Sequence, residues 1–196
     1  MEKRIIKRYE YELNETIRED AEVSIFIARR HERIYSFREY HSADAYISDI
    51  AKYKRLQKAG INVPKLIAND REDRILIFER FTEETALSVM AKRELPELYF
   101  QQIFNIYRFC RFSKIDIDYM PENFILKGTT LYYIGDDTYE ADVKHNLENF
   151  GLRYWVYSRE AMDHLQSKGY TVDSKRLLSE EETNKRIVLL SVTYWW

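Results

Sequence analysis

Asp116, Asp118, Asn123, Asp136 and Asp137, all bearing hard oxygen donors, crowd into one stretch, I-D-I-D-Y-M-P-E-N-F-I-L-K-G-T-T-L-Y-Y-I-G-D-D, at residues 115–137. Two apolar-rich runs, 124–127 and 130–135, flank a turn at Lys127-Gly128, which predicts a hairpin with a longer than minimal loop. Antiparallel strands pair neighbour to neighbour, so this hairpin brings its outer ends together, and the acids and the amide with them. Asp116 and Asp118 alternate with Ile115 and Ile117, so on an extended segment both acids point the same way. Oxygen ligands without His or Cys suit Mg2+ or Mn2+ rather than zinc. Carboxylates this close repel, and a divalent cation relieves the repulsion. Asp and Asn also crowd strand ends because they make turns. No single residue therefore carries the metal reading; the set does.

The elements that must position these groups follow from pattern. Residues 4–13, 22–29 and 34–40 look like strands, with a polar, turn-like segment at 14–21 and a hairpin turn at 30–33. Ser42 is a natural cap for a helix reaching Ala59, which Gly60 stops. Asp49 lies on that helix's stripe of Tyr46, Tyr53 and Leu56, and there it either finds a partner or sits at the rim. Residues 61–69 and 74–81 read as two more strands, the second a buried apolar run. Helical pattern then takes over. Thr82 is the expected cap of a helix to Lys92, and Pro96 opens one to Phe112 that is apolar nearly all round. Residues 140–150 and 158–168 look helical, and Ser179 caps a last helix. The tail, with its Trp195-Trp196 pair, reads as helix end or strand.

Bulk properties narrow the class. The 196 residues are 45% hydrophobic and 33% charged, with a net charge of −2, so no polycationic affinity for nucleic acid is implied. Cys110 is the one cysteine, which excludes an intramolecular disulfide and suits a reducing compartment. The start, M-E-K-R-I-I-K-R, lacks the apolar run of a signal peptide, and no apolar stretch approaches the ~20 residues of a membrane span. The expectation is a soluble, cytoplasmic protein. Its oligomeric state is not readable.

About five strands with one helix, then a helical region holding an acid-rich hairpin, resembles the protein-kinase-like superfamily. In D-I-D-Y-M-P-E-N, Asp118 falls five residues before Asn123, the spacing of H-R-D-x-x-x-x-N, and Asp136 falls thirteen after Asn123, at the place of the D-F-G Asp. I-F-E-R-F looks like a hinge, with Phe78 near the gatekeeper place and Glu79, Arg80 and Phe81 as the nucleotide-facing hinge. Y-K-R-L-Q-K-A-G-I-N-V-P-K-L-I is similar to small RIO-type and related bacterial kinases. The resemblance covers roughly residues 20–140. It implies an α+β, two-lobed fold, with residues 1–81 as a small β-rich N-lobe and 82–196 as a mainly helical C-lobe.

It further implies ATP and Mg2+ (or Mn2+) as cofactors and an acceptor hydroxyl, on a protein or a small molecule such as a sugar. Asp118 would orient that hydroxyl, Asn123 and Asp136 would bind the metal, and Arg38, positioned by Asp49, would contact the phosphates in place of the usual Lys–Glu pair. Several departures stand beside it. The candidate phosphate loop, L-N-E-T-I-R-E-D, has no Gly and carries Glu15, Glu19 and Asp20. Asp116 replaces the loop His, and the D-F-G place reads Asp136-Asp137-Thr138. A pseudokinase that binds or regulates without transfer is the competing expectation.

Overall fold

A computed structural model describes residues 2–141 and 144–195. The chain forms two compact units: Met1–Lys54 with Val63–Thr82, and Arg55–Asn62 with Glu83–Trp196.

The first unit is built on strands β1 (Glu2–Ile6), β2 (Tyr9–Glu19), β3 (Val23–Arg30) and β4 (Arg33–Tyr40), helix α1 (Ala43–Lys58), whose last turn counts with the second unit, and strands β5 (Leu66–Asp70) and β6 (Ile75–Glu79). One antiparallel sheet takes all six strands in the order β1-β2-β3-β4-β6-β5. The run expected as one strand at 4–13 is two, because Lys7 and Arg8 both adopt positive φ (46° and 69°) and make a two-residue hairpin turn without glycine. The polar segment 14–21 is not a turn through most of its length. β2 continues to Glu19, and its register on β3 shifts between Leu13 and Glu15 and again between Thr16 and Arg18. Such bulges let a polar strand stay paired while it bends.

Side chains alternate across this sheet. Tyr35 and Phe37 of β4 join Ile6, Tyr11, Leu13, Ala28, Ile75 and Ile77 in one cluster. That cluster joins residues of β1 and β6, which are not neighbours in the sheet, so the sheet curls over its own face. Tyr40 faces the other way and packs with Val23, Ile25, Leu76, Phe78 and the α1 residue Tyr46. β6 is therefore buried on both faces, as its apolar run predicts. Ser42 caps α1 by accepting the Ala45 N–H at 3.1 Å, and Gly60, at φ 83°, ends it. The strand expected at 61–69 begins only at Leu66.

The second unit contains α2 (Ala86–Lys92), α3 (Glu97–Ser113), short strands β7 (Ile115–Ile117), β8 (Phe124–Lys127), β9 (Thr130–Tyr133) and β10 (Thr138–Glu140), and helices α4 (Arg159–Ser167) and α5 (Glu180–Tyr194). Thr85, not Thr82, caps α2, accepting the Ser88 N–H. α3 is less uniformly buried than its composition suggests, since Phe109 is 47% and Phe112 90% exposed. Residues 140–141 and 144–150 do not form the helix expected over 140–150, of which residues 142 and 143 lie outside the described residues. Thr138–Glu140 pairs with β7 instead, and Asn146 turns the chain, its side chain accepting the Asn149 N–H at 2.9 Å. Ser158 and Ser179 cap α4 and α5 as expected, the latter with a full capping box to Glu182. The tail is the end of α5; Trp196 lies outside the described residues. Among the described residues, no helix is long and apolar enough to cross a membrane.

Candidate functional site

The acid-rich stretch of the second unit is held by two strand pairings. β7 pairs with β10 so that Ile117 faces Thr138 and Asp116 faces Tyr139. β8 pairs with β9 from Phe124↔Tyr133 to Lys127↔Thr130, which leaves a loop of Gly128 and Thr129. This loop is the minimal one, shorter than the apolar runs suggested, because Gly128 takes φ 62° at its first position. At the hairpin's open end the Ile134 N–H donates to the Asn123 carbonyl at 2.8 Å. The Asn123 side-chain amide donates to the Asp118 carbonyl at 3.4 Å, and Asp118 Oδ1 accepts the Met120 N–H at 3.1 Å. One turn of tight helix, Pro121–Asn123, makes this approach.

Asp118, Asp136 and Asp137 all bear on one buried phenol. Tyr133 is fully buried and donates from its hydroxyl to the Asp137 carbonyl at 3.0 Å. Burial raises its pKa, and the three carboxylates raise it further against a backbone hydrogen bond that pulls it down. Tyr139 is raised in the same sense, by burial first and then by Asp137 and Asp118. Asp116 differs from these acids. It is only 4% exposed and adjoins Tyr119, whose hydroxyl is raised by burial and then by Cys110 and Asp116.

Glu122, which carried no signal beyond its place in P-E-N, anchors the same segment. Its two oxygens each lie 2.9 Å from His164 Nε2, and Lys168 Nζ lies 3.0 Å from one of them. Burial alone would raise the Glu122 carboxyl, but its backbone hydrogen bond and the contacts to His164 and Lys168 bring it below the ordinary range. Both partners lie on or just beyond α4, about forty residues away, so local spacing gave no hint of them.

In the first unit, Arg38 of β4 and Asp49 of α1 come together, with Arg38 Nη1 donating to Asp49 Oδ2 at 3.1 Å. The Tyr40 hydroxyl donates to the same oxygen, a partner the sequence did not reveal. Burial raises the Tyr40 phenol; Arg38 pulls it down and Asp49 pushes it up again. Arg38 lies over the Phe78 ring at 4.7 Å, and Phe78 meets Tyr53 edge-on at 5.2 Å. Phe78 is thus a buried wall residue. Glu79 ends β6, its N–H donating to the Lys65 carbonyl at 2.8 Å, and Arg80 and Phe81 follow half-buried in irregular chain.

The turn between β2 and β3 is closed by its own acid. Asp20 Oδ1 accepts the N–H groups of Glu22 at 2.9 Å and Val23 at 3.0 Å, and Arg18 pairs with the other oxygen. Those hydrogen bonds, the backbone ones foremost, hold the Asp20 carboxyl below the ordinary carboxylate range.

Comparison with known proteins places this architecture. No family model and no curated protein matches the chain. Among solved structures, it is similar to the kinase domain of BubR1, with a TM-score of 0.50 at 13% identity over 71% of this chain and 50% of that one. It is also similar to the autoinhibited serine kinase domain of the giant muscle protein titin, with a TM-score of 0.51 at 15% identity over 67% of this chain and 46% of that one. The fold is kinase-like. The chain spans about half the length of those kinase-domain chains.

Among the described residues, no three of His, Cys, Asp and Glu converge as a ready metal cage. Asp136 follows two residues after Ile134, whose N–H donates to the Asn123 carbonyl.

Proposed function

We propose that this chain is a Mg2+-dependent phosphotransferase that moves the γ-phosphoryl group of ATP to an acceptor hydroxyl, its two compact units being the two lobes of the kinase-like fold. The observation that carries the reading is the catalytic-type segment. There the Asn123 amide meets the Asp118 carbonyl, while the hairpin ties the start of the Asp136 segment to Asn123. Asp118 Oδ1 accepts the Met120 N–H, and Oδ2 is the oxygen assigned here to the acceptor. In the transfer, the acceptor oxygen bonds to the γ-phosphorus and the bond from that phosphorus to the bridging oxygen breaks. The hydroxyl proton passes to Asp118 and ADP leaves. Mg2+ bound by Asn123 and Asp136 would neutralise charge on the phosphates. Arg38, set by Asp49, is the first unit's candidate for phosphate contact, and its guanidinium fork suits phosphate oxygens.

One observation favours a second reading, a pseudokinase. The Asp20 turn spends on its own carboxylate the backbone N–H groups that a Gly-rich loop would offer to phosphate. Thermal unfolding with ATP, with and without Mg2+, separates the two. A ligand at a hundredfold excess over its dissociation constant stabilises by about 2.7 kcal/mol. A shift lost in Asn123→Ala and Asp136→Ala, with labelled-ATP turnover lost in Asp118→Ala, supports transfer. Nucleotide binding without turnover supports the pseudokinase, and no shift with any nucleotide sinks the phosphotransferase.

A further inference from the structure

We infer that the cavity beside Asp118 is an acceptor pocket for a small alcohol that carries an ammonium group; this deepens the phosphotransfer reading and rests on it. The cavity is about 340 Å3 and lies wholly within the second unit. That volume is at the small end of ligand sites, which run from ~300 to ~1,000 Å3. Its lining includes Asp116 and Asp118 on one side and Tyr139, His145 and Phe150 on another. The residue proposed to receive the hydroxyl proton is therefore part of its wall.

Two independent features point to the ligand class. The first is aromatic. Tyr139 and Phe150 line the cavity yet remain 50% and 40% exposed. Phe150 is held in place by ring contacts to Tyr154 at 5.2 Å and His145 at 6.0 Å. Aromatic surface left to water around a cavity is a ready stacking platform, and the faces of such rings attract ammonium groups.

The second feature is charge. Asp116, at 4% exposure, and Asp118 put two carboxyl groups in the wall. Glu140 also lines the cavity, but its charge is balanced by Arg55 at 2.6 Å. No Lys or Arg is among the described lining residues. An anionic acceptor would be repelled and a neutral polyol would gain only the stacking. A hydroxyl compound with an ammonium group would use both the rings and the carboxylates.

Calorimetric titration of the full chain, without nucleotide, tests this with matched probes: choline against dimethylbutanol, its uncharged carbon isostere, and glucosamine against glucose. The charged member of each pair is expected to bind at least about tenfold tighter than the neutral one, a difference of ~1.4 kcal/mol. Tyr139→Ala and Phe150→Ala should each weaken choline binding severalfold, and Asp116→Asn should narrow the preference for charge. Circular dichroism reports whether each variant folds. If buried Asp116 does not tolerate the change, the exposed Tyr139 variant carries the test. Equal binding of charged and neutral probes, or binding of neither, overturns the inference. So does phosphorylation of a Ser/Thr peptide by a chain that binds no ammonium alcohol. ATP–Mg2+ stabilisation measured in parallel keeps the two claims apart. Ammonium binding without it leaves the pocket standing and overturns phosphotransfer, whereas ATP–Mg2+ stabilisation without ammonium binding overturns the pocket alone.

Discussion

Asp49→Ala removes the carboxylate that Arg38 and Tyr40 share in the first unit. The side chains of Arg38 and Asp49 are 15% and 16% exposed and Tyr40 is 4% exposed, so solvent replaces little of what is lost. Breaking a fully buried pair costs about 3–5 kcal/mol, while exposed pairs contribute about 0–1 kcal/mol. At this burial the expected loss is about 2–4 kcal/mol. Asp49→Asn keeps an acceptor for the Tyr40 hydroxyl and should lose about half as much. The double variant Arg38→Met with Asp49→Leu removes both charges and should recover most of the loss, because apolar replacement of a buried pair is often near neutral. Denaturant titration gives the magnitudes as midpoint shifts at constant slope. Trp155 and Trp195, two of the three tryptophans, belong to the second unit. Far-UV circular dichroism should therefore report the loss while tryptophan fluorescence moves less. A single-variant loss under about 1 kcal/mol would refute the reasoning, and so would a double variant as unstable as Asp49→Ala.

Three further outcomes are expected. Asp20→Gly releases the Glu22 and Val23 N–H groups and removes a negative charge from the turn, so ATP–Mg2+ affinity by titration should rise; unchanged affinity would mean that the closed turn is not the obstacle. Glu122 has its folded pKa below the ordinary 4.5, so its contribution to stability is present above that value and is lost as pH falls through the depressed folded value. Glu122→Gln should flatten this acid limb in melting temperature against pH. The Cys110 thiol is pushed up to about 12, by burial foremost, with Tyr119 pulling it back and Asp116 adding to the rise. Iodoacetamide should therefore label it only as fast as the fold opens, and rapid labelling of the native protein would contradict its burial.

Sequence pattern reached furthest where one period dominated. The buried run at β6, the caps at Ser42, Ser158 and Ser179, and the hairpin at 124–133 all follow from local rules, and all are present. It fell short where long-range pairing overrode local preference. Thr138–Glu140 was drawn to β7, a strand more than twenty residues earlier, so a segment with helical composition became strand and turn. β2 ran on through polar residues because β3 offered it a ladder and bulges absorbed the misfit. At the site, the Arg38–Asp49 contact was readable as a charge pair on facing elements, but Tyr40 was not. It lies two residues from Arg38, and nothing in a strand's alternation says that its hydroxyl will reach a helix carboxylate. The Glu122 anchor was hidden for the same reason, since His164 and Lys168 meet it only through the tertiary fold.

The groups that phosphate would seek are not equally available in the two units. In the first, the Glu22 and Val23 N–H groups already donate to Asp20, and Arg38 Nη1 already donates to Asp49. A phosphate arriving there exchanges one hydrogen bond for another. An exchange of that kind yields little net free energy, because a single hydrogen bond is worth only about 0.5–1.5 kcal/mol net even when it replaces water. In the second unit, Asp118 Oδ1 accepts the Met120 N–H, and Asn123 and Asp136 are the amide and the carboxylate proposed above for a partly hydrated Mg2+. A nucleotide held by this chain would therefore be held chiefly through its metal. For that reason the arm without Mg2+ decides more than any single substitution: stabilisation by ATP that survives removal of the metal would mean that the first unit, closed turn and all, does the binding.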